Sequence, residues 1–259
     1  MSYLTFHFIF LIPPILLLGL TQPSPWAGVG GRRAAYAIPT ICVIAFTYTT
    51  PWDNYLVARE VWWYGANRVI GTIGYVPIEE YMFFILQPIL TGLFLYQYLA
   101  RWAPQQRPSS AWAGRMGVAF FVAVSAIGAG LLLADWDSGL YMGLILAWAG
   151  PVLAGMWAYA GKLLWALRRP LIITTLLPTV YLWVADATAI HLGIWEISAT
   201  YSFGFNPLGL PIEEATFFLV TNLMVVQGTL LFLFERHGII PEEWGASVPA
   251  GRSSAQRKG

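Results

Sequence analysis

Charge is scarce in this sequence. Lys, Arg, Asp and Glu supply 10% of its 259 residues, against roughly 25% in soluble domains. The net charge is +1, and no basic run or stripe suggests nucleic acid. A single cysteine, Cys42, excludes an intramolecular disulfide. The three histidines, His7, His191 and His237, are too scattered for metal-ligand spacing, so no metal is expected. The only lysines are Lys162, in a loop, and Lys258, in the tail. A retinal protein, which needs a lysine within the membrane for its Schiff base, is therefore excluded. The one dense acidic loop, Asp135-Trp136-Asp137, is short, which argues against a prenyltransferase holding magnesium and diphosphate.

What the chain has instead is oil. It is 58% hydrophobic, with 13 tryptophans and a mean hydropathy of +0.62. Crossing a bilayer takes about 20 apolar residues. Seven segments qualify, at about 3–20, 34–52, 77–100, 116–134, 140–160, 171–190 and 211–234. The expected fold is all-α, a polytopic membrane bundle of seven transmembrane helices. The first segment lacks a basic leader and a small-residue cleavage site, so it is expected to stay as a membrane helix. The polar 238–259 segment, rich in Pro, Gly and Ser, is expected to be disordered.

Charge placement predicts an orientation. Twelve of the 14 basic residues fall in the loops on one side or in the tail, and only Arg59 and Arg68 fall on the other. The positive side is expected to be cytoplasmic, with the N-terminus outside, in a multi-pass protein of the cell membrane.

Two stretches repeat. "PIEEYMFF" at 77–84 returns as "PIEEATFF" at 211–218. Upstream, Asp53 and Asp186 each precede a tryptophan, Trp62 and Trp195, by nine residues. The pattern predicts a parallel three-plus-one-plus-three repeat: a first unit at 1–105, a linker helix at 106–138 and a second unit at 139–237. Both acidic clusters then lie at the same depth on the outer side.

Each Pro-Ile-Glu-Glu has a purely structural reading. Proline suits the first helical position, and glutamate in the first turn complements the helix dipole. Yet adjacent residues differ by about 100° around a helix, so at least one glutamate of each pair must face the bundle or a neighbouring helix. Acids in a membrane segment are functional candidates by default. Asp53 and Asp186 are expected at helix C-terminal ends, where the dipole disfavours a carboxylate. Structurally they could bond loop amides or pair with Arg59 or Arg68. Chemically, crowded carboxylates leave one protonated beside an ionised neighbour, which makes an acid/base site. The catalytic candidates are thus Asp53, Glu79, Glu80, Asp186, Glu213 and Glu214. Trp62, Trp195, Phe83, Phe84, Phe217 and Phe218 could be interfacial belt or packing. Their faces could also line a pocket and stabilise a carbocation. Asn54 and Gln87 are candidate supporting polar groups. An acid, a base and an aromatic lining suit isomerisation or cyclisation of an alkene.

"TTPWDNYLVAREVWWYGANRVIGTIGYVPIEEYMFFILQPILTG" at 49–92 closely resembles the small membrane lycopene cyclases, which occur as paired bacterial subunits and as fused chains. "LPIEEATFFLVTNLMVVQG" at 210–228 is similar to the partner subunit. The resemblance covers about residues 1–237. It implies acid-catalysed, non-redox closure of lycopene's linear ends to β-rings, through one-ringed γ-carotene to β-carotene. The family's acidic motif falls on Glu79, Glu80, Glu213 and Glu214, its Asp-containing motif on Asp53, and Asp186 follows through the repeat. No Gly-x-Gly-x-x-Gly follows a strand, so neither flavin nor nicotinamide is expected. The chain ends where fungal bifunctional members continue, so phytoene synthase activity is expected to be absent. The rivals are a cyclase or hydratase of fifty-carbon carotenoids and a non-enzymatic carotenoid carrier. A forty-carbon polyene is about as long as the roughly 30 Å hydrocarbon core. Threaded along the membrane normal, it presents one end at a time.

Overall fold

The computed structural model describes residues 1–23, 32–102 and 108–234. The expected disordered 238–259 tail lies outside them. Among the described residues, seven helices are long and apolar enough to cross a membrane. They are α1 (Tyr3–Leu20), α2 (Arg32–Ala58), α3 (Ile78–Arg101), α4 (Ala111–Leu133), α5 (Leu140–Ala166), α6 (Arg168–His191) and α7 (Ile212–Phe234). The protein is a multi-pass helical membrane protein. The described residues also hold four short strands: β1 (Trp62–Tyr64), β2 (Thr72–Ile73), β3 (Val76–Pro77) and β4 (Trp195–Ile197).

Helix α3 packs on α1, α2, α6 and α7, and α7 also packs on α2, α5 and α6. The two PIEE helices are therefore the central pair. Helix α4 lies against α5 through glycines. A Cβ on Gly128 would sit 2.4 Å from the Ala147 amide nitrogen, so only glycine permits that approach. Prolines interrupt several helices, and in α1 a neighbour takes up the freed carbonyl. Pro14 leaves the Phe10 carbonyl without its usual amide, near a π-helical turn at His7–Leu11. The Tyr181 hydroxyl donates to that carbonyl at 2.8 Å.

Four buried side chains stitch the centre. The Gln87 amide and the Thr91 hydroxyl both donate to Asn222 Oδ1, at 2.5 and 2.6 Å, and Asn222 Nδ2 donates to Thr179 at 3.0 Å. This cluster ties α3, α7 and α6 together away from water. Gln87, expected beside the acids, is thus bonded into that knot.

Two expectations are corrected. Pro77 is the N-cap of α3 rather than its first helical residue, and Pro211 likewise precedes α7. Asp53 and Asp186 do not end their helices: each is followed by five further helical residues, to Ala58 and His191. Packing carries the helices onward, because Leu56 and Ala189, three residues past each aspartate, are fully buried.

Candidate active site

The chain between α2 and α3 and the chain between α6 and α7 form one roof. Strands β1 and β4 pair antiparallel, Trp62 with Ile197, Trp63 with Glu196 and Tyr64 with Trp195. Strand side chains alternate. Trp63 and Glu196 are exposed, while Trp62, Tyr64, Trp195 and Ile197 line a cavity below. Gly65 allows the two loops to meet, since a Cβ there would lie 2.4 Å from the Gly193 carbonyl oxygen. Arg68 locks the junction by donating to the carbonyls of Met1, Leu192 and Gly193 at 3.0, 3.2 and 3.1 Å. Its guanidinium is thus bound to backbone rather than paired with Asp53 or Asp186, and Arg59 lies over the Tyr201 ring.

Under this roof, Asp53 from α2, Glu80 from α3, Asp186 from α6 and Glu214 from α7 line one cavity of about 40 Å³. Tyr3, Phe6, Trp62, Phe83, Trp195, Phe217 and Phe218 share the lining. Four acids separated by up to 161 residues are brought together. Glu80 Oε2 accepts hydrogen bonds from the Tyr3 hydroxyl at 2.8 Å and the Tyr64 hydroxyl at 3.0 Å. The Trp62 indole N–H supports Tyr64 from behind, at 3.1 Å from its hydroxyl oxygen. Burial, then the Glu80 charge, push the Tyr64 phenol well above its ordinary pKa, which keeps it a donor. Glu214 Oε1 accepts from the Tyr141 hydroxyl at 2.6 Å, and Asp186 Oδ1 from the Trp195 indole at 2.9 Å. Asp53 and Asp186 are 2% and 1% exposed, and Oδ2 of each is buried without a hydrogen-bond partner.

The other two glutamates face elsewhere. Glu79 Oε1 accepts from the Ile70 amide at 2.9 Å, and Glu213 Oε1 from the Phe203 amide at 2.7 Å. Each anchors the loop leading into its own helix, and neither lines the cavity. The ~100° between neighbours thus sends one glutamate of each pair to the chamber and one to the loop. Asn54 also turns to a loop: it accepts from the Tyr75 amide and donates to the Thr50 carbonyl and the Tyr81 hydroxyl. Phe84 lines a neighbouring apolar cleft rather than the chamber.

Sequence reasoning did not single out Tyr3, Phe6 or Tyr141. Each tyrosine stands in the first turn of its helix, Tyr3 in α1 and Tyr141 in α5. An aromatic enclosure with carboxylic acid and carboxylate together can add a proton to one carbon and remove it from another.

The chain is 43% identical over 235 residues to lycopene beta-cyclase of Halobacterium salinarum, covering 89% of this chain and 95% of that one. It is 37% identical over 247 residues to the bifunctional lycopene cyclase/phytoene synthase of Pyrenophora tritici-repentis, and 34% over 248 residues to that of Arthroderma gypseum. Each of these fungal alignments spans 41% of the longer protein. No family model and no solved structure matches the chain.

Proposed function

This chain belongs to the lycopene β-cyclase family, and from that premise we propose how its residues close the ring. It is a membrane enzyme of carotenoid biosynthesis acting on lycopene. Closure needs a proton delivered to the terminal double bond of the linear end. The resulting tertiary cation is attacked by the neighbouring trisubstituted double bond, which forms the six-membered ring. Loss of a proton then leaves the β-ring, with no net redox change.

Asp53 is the proton donor in this reading. Its buried, unpartnered oxygen would leave an ion uncompensated, so the group is held as the neutral acid. Glu80 is the base. Two phenols donate to one of its oxygens, an arrangement suited to an ionised carboxylate. Asp186 and Glu214 form a second pair of the same kind, related to the first through the repeat of residues 1–105 in 139–237 about the linker 106–138. The faces of Trp62, Trp195, Phe83, Phe217 and Phe218 stabilise the cation and keep water from trapping it as an alcohol. Glu79, Glu213 and Asn54 hold the loops in place. The step is an isomerisation, so no oxidant or reductant is consumed.

Arg33, Arg101, Arg115, Lys162, Arg168 and Arg169 lie towards the helix ends away from the chamber, and among the described residues Arg59 and Arg68 are the basic residues on the chamber side. The positive-inside rule then puts the chamber on the outer side of the cell membrane, with the N-terminus outside and the C-terminus cytoplasmic.

The observation that carries this reading is the convergence of four carboxylates from four helices in one aromatic chamber. Its test is expression of the chain in bacteria that make lycopene, with pigments extracted and chromatographed. γ-Carotene and β-carotene are expected. Lycopene left unchanged, with the protein shown in the membrane, would overturn it. A hydroxylated product would point to the hydratase rival, and ring closure only of a supplied fifty-carbon carotenoid to the fifty-carbon cyclase.

A further inference from the structure

The carboxylate chamber is too small for the end it must fold. Its roughly 40 Å³ compares with the ~30 Å³ that one water occupies in the liquid. Small-molecule sites usually measure about 300–1,000 Å³. Beside it, an apolar cleft of about 380 Å³ runs between α2, α3, α5 and α7. Phe83 and Phe217 line both spaces, so two phenyl rings form the partition. Ile44, Tyr48, Phe84, Trp148, Met156 and Phe232 form much of the cleft wall. Ile44, Tyr48, Tyr159 and Phe232 are exposed on the bundle surface, which in a membrane faces lipid tails.

A matching cleft exists on the other face, but it is cut short. It is lined by Leu17, Leu90, Phe94, Leu177, Pro178 and Tyr181, among others. Leu177 and Tyr181 stand as far before Asp186 as Ile44 and Tyr48 stand before Asp53. Likewise Phe94 lies seventeen residues after Pro77, and Gly228 seventeen after Pro211. The cleft with phenylalanine there holds about 220 Å³ and shares no lining residue with the chamber. The cleft with glycine is the larger and reaches the partition.

We propose that the cleft at Gly228 is the way in from the bilayer for the linear polyene and holds its unreacted half, while Phe94 closes the matching route. This rests on the lycopene cyclase reading above. One end then reaches the acids at a time, past Phe83 and Phe217, and the second ring requires the molecule to leave and return reversed. Gly228 sets the usable length. It lies eleven residues beyond Phe217 on α7, or about 16 Å at 1.5 Å per residue, roughly half of a chain as long as the ~30 Å hydrocarbon core. A Cβ at Gly228 would meet Ile41 Cδ1 at 2.8 Å and Met156 Cε at 3.6 Å. Both are ends of flexible side chains, so a methyl is accommodated, whereas a benzyl group fills the passage.

The test compares wild type, Gly228→Ala, Gly228→Phe, Thr221→Phe and Phe94→Ala at matched amounts in proteoliposomes. The substrates are lycopene and a lycopene fragment of half its length with one intact linear end. Gly228→Phe is expected to slow lycopene cyclisation at least tenfold while sparing the fragment. Thr221→Phe, nearer the partition, should slow both. Phe94→Ala should leave lycopene turnover within twofold, and Gly228→Ala should lie between. A folded Gly228→Phe that cyclises lycopene at the wild-type rate would overturn the proposal. Should that variant not accumulate, Thr221→Phe decides in the same way. Wild type inactive on both substrates would instead overturn the cyclase reading itself.

Discussion

Removing the phenol hydroxyls that face Glu80 should disable the base without disturbing the fold. Glu80 Oε2 accepts from Tyr3 at 2.8 Å and from Tyr64 at 3.0 Å, and no cation contributes to its lining. In the proposed assignment those two bonds keep the charge on Glu80 while the proton stays on the donor. A hydrogen bond to a charged group contributes about 1.5–3 kcal/mol. At about 1.36 kcal/mol per factor of ten, Tyr3→Phe or Tyr64→Phe alone should lower the ring-closing rate by roughly 10- to 150-fold. The rings remain, so packing against Phe6, His7 and Trp195 is retained. The double variant should lose more than either single variant but less than their product, because both phenols serve one oxygen. The assay is the initial rate of γ-carotene formation in proteoliposomes, with thermal unfolding as the control for folding. Single and double variants all within twofold of wild type would refute the assignment of Glu80.

Three further outcomes are expected. Asn222→Ala should remove the knot between α3, α6 and α7 and destabilise the protein by about 1–3 kcal/mol, read as a fall of about 2–4 °C in melting temperature per kcal/mol. An unchanged melting temperature would argue that those helices are held by packing alone. Arg68→Ala should loosen the roof, slow cyclisation and expose the 192–194 turn to protease. Arg68→Lys should rescue only part, since a single ammonium cannot replace the guanidinium fork that reaches three carbonyls. In a time course, γ-carotene should accumulate before β-carotene; two-ringed product without a free intermediate would contradict one-ended access.

The helices were legible in the sequence because membrane spans declare themselves by length and hydropathy, and all seven stand where expected. Helix ends were less legible. Leu56 and Ala189 carry α2 and α6 past their aspartates by burial, a packing effect that local pattern does not contain. The dipole reasoning for Asp53 and Asp186 weakens accordingly, since that effect is confined to the last turn; their burial and unpartnered oxygens take its place. The repeated Glu-Glu could be found by eye, but which member faces inward could not. That depends on the loop amides of Ile70 and Phe203, which claim Glu79 and Glu213. Tyr3 and Tyr141 were hidden because tyrosines near a membrane interface are ordinary. Asn54 turns to the loop for a related reason: an amide beside an acid in the sequence lies on another face of the helix.

The most direct test of the account is the amide series, measured as ring-closing rate at matched protein levels in the membrane. Asp53→Asn and Glu80→Gln should each lose at least a hundredfold, and Asp186→Asn and Glu214→Gln should also fall. Glu79→Gln and Glu213→Gln should retain most of the rate, because a glutamine oxygen can still accept from the Ile70 or Phe203 amide. Full activity in all four chamber variants, or a complete loss confined to Glu79 and Glu213, would contradict the claim that the chamber carboxylates carry the chemistry.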